Sequence, residues 1–187
     1  MFYFSKFTIA QHNIILALPD TTHAEDLFNT VNNDRATLSR WMSWTNTTLS
    51  VDDEKQFINY ARVEIAKHHL LLLTIIVDNQ AVGMVDLHQI DWQNRTAELG
   101  YWLSSEFQGK GIITTAVNQL VSHAFNHMLL HKVILQADSE NDKSIAVAHR
   151  LGFLLEATLK QQVRYQDTFK DMCIFAKFNP ENNQLEN

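Results

Sequence analysis

The sequence predicts a single mixed α/β domain on a central sheet of about seven strands, and three observations predict it. Strand-like and helix-like patterning alternate along the chain in the order β-α-α-β-β-β-α-β-α-β-β. Three consecutive strand runs are joined by turns short enough for an antiparallel meander. The apolar period then changes from about two residues to about 3.6, at a Gly-x-Gly turn that opens a helix. With 187 residues, 45% hydrophobic and 19% charged, the chain can bury one core and is too short for two comfortable ones. One domain over residues 1–187 is therefore expected.

The first strand is expected over 12–18, stopped by Pro19-Asp20. Thr22-x-x-Glu25 is a capping-box pattern for a helix with Leu27, Phe28 and Val31 inward, and a second short helix covers 35–41. Ser50-x-x-Asp53 is another helix start, followed by Phe57, Ile58, Ala61 and Ile65 at helical spacing up to about His69. Strand runs at 70–77, 81–90 and 96–103 form the meander, with turns at Asp78-Asn79-Gln80 and 91–95. From Gly109 a broad apolar stripe of Ile113, Ala116, Val117, Leu120, Val121, Ala124, Phe125 and Met128 marks a helix. A strand at 132–138, a helix at 141–151 stopped by Gly152, and strands at 153–165 and 169–178 close the chain.

Composition excludes several classes. The net charge is -6 with Lys and Arg scattered, so no nucleic-acid footprint is present, and an acidic surface suits a cationic amine partner. The apolar run at 70–77 is interrupted by Thr74 and falls short of the roughly 20 residues that span a bilayer. Residues 1–10 carry Ser5, Lys6 and Thr8 and lack the pattern of a secretory signal. Cys173 is the one cysteine, so no internal disulfide can form, and it reads as packed core rather than nucleophile. The cytoplasm is the expected compartment, and the sequence leaves a homodimer open.

The stretch Gly100-Tyr101-Trp102-Leu103-Ser104-Ser105-Glu106-Phe107-Gln108-Gly109-Lys110-Gly111-Ile112-Ile113-Thr114 carries the most chemistry. Glycines one residue apart let a backbone approach a ligand, and the first turn of the next helix offers unpaired N–H groups with partial positive charge. Such a turn can cradle a diphosphate, or be a plain strand-to-helix corner. It is neither a nucleoside-triphosphate loop nor a dinucleotide fingerprint, since the spacing of both is absent.

Together with Asn141-x-x-Ser144 and Leu151-Gly152-Phe153, these elements resemble the GCN5-related N-acetyltransferase (GNAT) superfamily. Gly100-Tyr101-Trp102-Leu103, Phe107-Gln108-Gly109-Lys110-Gly111-Ile112, Leu155-Glu156-x-x-Leu159-Lys160-Gln161 and Trp41-Met42-Ser43-Trp44 resemble its ribosomal-protein-serine acetyltransferase branch, the RimJ/RimL type. The resemblance implies helices on both faces of the sheet and a parallel strand pair, ending at Leu103 and Asp138, that splays apart. It implies acetyl-coenzyme A as co-substrate and no metal, with the coenzyme-binding core at about 70–160. Gln108, Gly109, Lys110, Gly111, Ile112, Ile113 and Thr114 would wrap the pyrophosphate. Main-chain groups of Trp102, Leu103 and Ser104 would meet the pantetheine and polarise the thioester carbonyl.

Asn141 matches a position that contacts the pantetheine or orders the active site, and Asn is also a favoured plain helix cap. Ser144 matches a hydroxyl proposed to protonate the leaving thiolate; many relatives use a tyrosine one turn later, where this chain has Ala148. Its bland alternative is a polar residue in a first helical turn. Relatives use a glutamate after Lys160-Gln161, but here Gln162-Val163-Arg164 follows, with one residue inserted. An N-terminal amine, with a pKa of about 7.7 to 8.0, is partly neutral near pH 7 and could use a water-mediated base. Glu98 is the carboxylate to test first, against the alternative of a solvent-facing strand residue. Ile113 stands where the familiar turn has Gly or Ala, and the hairpin Gln166-Asp167-Thr168 lacks the glycine usual in relatives.

Two other patterns read as structural. His123, His127 and His131 recur every four residues, but no carboxylate or cysteine completes a zinc set, so a solvated helix face is expected. Trp92 and Trp102 read as core, whereas Trp41 and Trp44 lie where this family borders its acceptor groove. The function implied is direct acetyl transfer to a primary amine, most closely the α-amino group of a protein N-terminus in a ribosomal protein. The alternatives are a small amine, such as an antibiotic or polyamine, and a coenzyme-binding module that has lost efficient transfer.

Overall fold

The computed structural model describes residues 3–165 and 167–181. The elements are β1 (Tyr3–Ile9), β2 (His12–Ala17), α1 (Ala24–Leu38), α2 (Val51–Ala66), β3 (Leu71–Val77), β4 (Gln80–Asp91) and β5 (Thr96–Leu103). They continue with α3 (Ile112–Asn126), β6 (Lys132–Asp138), α4 (Asp142–Arg150), β7 (Leu154–Tyr165) and β8 (Thr168–Phe178). The strands join in one eight-stranded sheet in the order β1-β2-β3-β4-β5-β6-β8-β7. The strand beyond the expected seven is β1, which pairs antiparallel with β2 after a turn where Ala10 has φ +54°.

By main-chain proximity the chain divides into two compact units, one of the residues up to Asp86 with Tyr101–Ala116, the other of Leu87–Gly100 with Val117 onward. In the first unit β2 pairs antiparallel with β3. The β3–β4 hairpin turns through Asp78 and Asn79, both with positive φ (+48° and +73°), as a two-residue type I′ turn demands. The core here is Ala17, Leu27, Val31, Leu38, Ile58, Ala61, Leu72, Ile76, Met84 and Trp102, with Met42, Val51 and Ile65 packed against it.

Helix starts differ from the expectation at one end. The Asp20 carboxylate, rather than Thr22, makes the cap: it accepts from the Thr22 amide (3.0 Å) and hydroxyl (2.8 Å), and a 3₁₀ turn leads into α1. The Asx geometry satisfies donors that a capping box would have taken. Helix α1 also runs unbroken to Leu38, absorbing most of the expected second helix. The Ser50 signature holds: Ser50 Oγ accepts from the Asp53 amide at 3.2 Å, and the Asp53 carboxylate accepts from the Leu49 amide at 3.0 Å. On α2 the inward stripe is Val51, Glu54, Ile58, Ala61 and Ile65, while Phe57 is 42% exposed.

In the second unit β6 pairs parallel with β5 and antiparallel with β8, which pairs in turn with β7. The parallel ladder runs from Thr96–Lys132 to Leu99–Leu135, although β5 continues to Leu103 and β6 to Asp138. The stripe on α3 buries Val117, Leu120, Val121, Ala124 and Phe125. Cys173 is buried on β8. Trp92 departs from the expected core placement: it sits in the Asp91–Arg95 turn, exposed.

Candidate functional site

After β5 the chain makes a 3₁₀ turn over Ser105–Phe107, then Gln108 to Gly111, then α3. Phe107 is buried and anchors the segment. Gly109 and Gly111 have φ of +74° and +84°, a backbone that L side chains rarely adopt, and a Cβ on either would meet nothing within 4 Å. The glycines are thus required for conformation, and the turn is open. Gly111 O accepts the first helical bond, from the Thr115 amide at 3.0 Å, so the cap residue of α3 has no side chain to compete for the first-turn amides. Ile112 is fully buried and Ile113 half-buried, so the branched side chain packs inward beside the turn.

Neighbouring groups fix the turn. The Asp34 carboxylate, on α1, accepts from the Ser105 amide at 2.5 Å and its hydroxyl at 2.6 Å. Gln108 Nε2 donates to Leu103 O at 2.9 Å, and the Ser104 amide donates to Val82 O at 2.8 Å. Of the main-chain groups expected to receive the pantetheine, these two already have protein partners. Gly83 on β4 was not singled out by sequence: a Cβ there would lie 2.4 Å from Trp102 O and 3.0 Å from Leu103 Cα, so β4 approaches this end of β5 too closely for a side chain.

Trp44 meets Trp102 with ring centroids 5.8 Å apart, and Arg40 lies over the Trp41 ring at 4.5 Å. The segment between α1 and α2 is tied down by Arg35, whose guanidinium donates to Thr45 O and, at 2.9 Å, to Thr48 O. Glu54 is the residue sequence reasoning missed. It is 3% exposed, on the stripe whose apolar members share a cluster with Trp102, and burial pushes its carboxyl up to about 7. Among the described residues its carboxylate oxygens have no hydrogen-bond or ion-pair partner.

In the second unit Asn141 caps α4, its Oδ1 accepting from the Ser144 amide at 3.2 Å. Ser144 is half-buried in the first turn and Ala148 is fully buried one turn on, where a tyrosine would have no room without repacking. Glu98 is held rather than free in solvent: Gln136 Nε2 donates to it at 2.8 Å, and His88 Nε2 lies 3.5 Å from its other oxygen. At the extra residue after Lys160-Gln161, the β7–β8 register shifts between Leu159 and Val163, and Gln161 has φ +52°. Asp171 fills this bulge, accepting from Lys160 Nζ at 2.8 Å and the Gln161 amide at 2.9 Å; the Lys160 bond first, then the amide, hold its carboxyl below the usual range. Asp171 is therefore a poor base. Gln166 lies outside the described residues.

His123 and His127 stack at 4.8 Å, and burial first, then His127, lower the His123 pKa. Among the described residues no three His, Cys, Asp or Glu side chains converge to hold a metal ion, and no helix is long and apolar enough to cross a membrane.

Known proteins agree with this arrangement. The family model described as an acetyltransferase (GNAT) domain matches residues 13–154. A putative ribosomal N-acetyltransferase, YdaF of Bacillus subtilis (strain 168), is 31% identical over 165 residues, 88% of this chain and 90% of that protein. Spermidine N(1)-acetyltransferase of Escherichia coli (strain K12) is 34% identical over 101 residues, 52% of this chain and 54% of that protein. The crystal structure of the microcin C7 self immunity acetyltransferase MccE, in complex with acetyl-CoA and AMP, superposes with a TM-score of 0.84 at 30% identity, covering 88% of this chain and 92% of that one. A mixed sheet with a parallel β5–β6 pair, a glycine turn opening α3, and a family match over most of the chain lead to one assignment: the chain belongs to the GNAT family of acetyltransferases.

Proposed function

We propose that the protein transfers the acetyl group of acetyl-coenzyme A to the α-amino group of a protein N-terminus, of the kind modified in ribosomal proteins. The observation that carries the donor half is the open glycine turn at Gly109 and Gly111, ahead of the first turn of α3. Amide groups there meet a diphosphate with aligned N–H bonds and a favourable helix dipole. The ribosomal relative, similar over 88% of this chain, supports the acceptor half.

Acetyl-coenzyme A supplies an activated thioester. The chain's residues then have four tasks in this reading. Gln108 to Thr114 hold the phosphates, and main-chain groups of Trp102 and Leu103 align the pantetheine. Glu98, with Gln136 and His88 fixing its orientation, accepts a proton from the attacking amine. Ser144, set by the Asn141 cap, returns a proton to the departing sulfur. The balance is amide, free thiol and one proton released per ammonium consumed.

A small-amine acceptor is the second reading, and similarity to a spermidine acetyltransferase and to MccE favours it. Mass spectrometry of peptides with free N-termini and of a polyamine panel, after incubation with acetyl-coenzyme A, separates the two. Acetylated peptide N-termini support the first reading and acetylated polyamine alone the second. Bound coenzyme with no acetylated amine supports a weakened binding module. Ser144→Ala lowers kcat with little change in coenzyme affinity; an unchanged kcat removes Ser144 from the acid role.

A further inference from the structure

Lys110 stands between the two glycines of the turn, and its ammonium is held by a histidine rather than a carboxylate. Nζ lies 3.4 Å from His12 Nε2 and 4.9 Å from the centroid of the Phe107 ring. On its other side His12 Nδ1 meets Asp78 Oδ2 at 2.6 Å, and the ring sets its edge on Phe107 at 5.7 Å. Asp78 is itself fixed, accepting from the Asn13 amide at 2.9 Å through its second oxygen and donating its own amide to Asn13 O at 3.0 Å. Three chain segments, the start of β2, the β3–β4 turn and the glycine turn, thus bring one carboxylate, one imidazole and one ammonium into line.

The order of the three sets which atoms face one another. Asp78, which the His12 bond and then the Asn13 amide hold below the usual carboxylate range, accepts the Nδ1 proton. The other ring nitrogen, Nε2, faces Lys110. Among the described residues the charged groups that meet His12 are Asp78 and Lys110. A phosphate oxygen drawn to the ammonium comes to the imidazole edge that Nζ already meets, so both side chains can bond it.

We propose that His12 and Lys110, backed by Asp78, form a phosphate subsite of the coenzyme turn. The inference rests on the acetyl-coenzyme A reading above and adds to it residues outside the turn. The phosphate comes either from the diphosphate or from the ribose 3′-phosphate, since both offer the same oxygen chemistry.

Calorimetric titration of coenzyme A into the full-length protein measures its affinity. His12→Leu, which cannot hydrogen-bond a phosphate, binds about tenfold more weakly than wild type, whereas His12→Gln, which keeps a donor, stays near wild type. Dephospho-coenzyme A distinguishes the source: a His12→Leu loss that persists assigns the diphosphate, and one that disappears assigns the 3′-phosphate. Equal affinity in wild type and His12→Leu overturns the subsite while leaving the coenzyme reading intact. A wild type that binds no coenzyme A at any pH overturns that reading and the subsite with it.

Discussion

The Asp34 carboxylate grips Ser105 with both oxygens, at 2.5 Å to the amide and 2.6 Å to the hydroxyl. A helix of the first unit thereby sets where the strand β5 ends and the glycine turn begins. Asp34→Ala removes both bonds, which costs about 1–2 kcal/mol of stability. Because the turn then has more freedom, KM for acetyl-coenzyme A rises about three- to tenfold with kcat less affected. Initial-rate kinetics with a thermal melt checks both, and an unchanged KM would remove Asp34 from the turn's support.

Gly83→Ala tests the close approach of β4 to β5. The added Cβ meets the Trp102 carbonyl oxygen at 2.4 Å and Leu103 Cα at 3.0 Å, both main-chain atoms, so main chain must shift. Overpacking of this kind costs about 1–3 kcal/mol or more. A melting temperature within a degree of wild type would show that the two strands separate easily.

Glu54 gives stability a pH signature. Its folded-state pKa, about 7, lies above the ordinary 4.5, so the native chain binds this proton more tightly than the unfolded chain does. The contribution is complete below about 4.5 and is lost as pH rises through 7. The full difference is about 3 kcal/mol. Glu54→Gln flattens the fall in melting temperature between pH 5 and pH 8 and is the more stable protein at the upper end. Parallel melting curves for the two proteins across that range would contradict a buried, unpartnered carboxyl.

Much of this was legible in the sequence for identifiable reasons. The sequence marks Thr96–Leu103 and Lys132–Asp138 with their observed bounds because alternation and flanking polar turns coincide there. Ser50 and Asn141 announced their helices because capping is a local interaction. The misses depend on tertiary packing. Tyr3–Ile9 interleaves Ser5, Lys6 and Thr8 with apolar residues and becomes a strand only by pairing with β2. Asp52, Asp53 and Glu54 look alike as an acidic first turn, and only the helical phase of Val51, Ile58 and Ala61 buries the third. Gly83 and the chain from Asp78 through His12 to Lys110 join residues far apart in sequence, where no local pattern points.

Coenzyme A affinity of wild type against Gly111→Val tests whether the glycine turn cradles the coenzyme. Gly111 has φ +84° and open space around its Cβ position, so the substitution strains the backbone by about 1–2 kcal/mol without displacing a neighbour. Wild type is expected to bind coenzyme A, and Gly111→Val to stay folded by circular dichroism yet show no measurable binding. A folded Gly111→Val that binds coenzyme A as tightly as wild type would contradict the cradle.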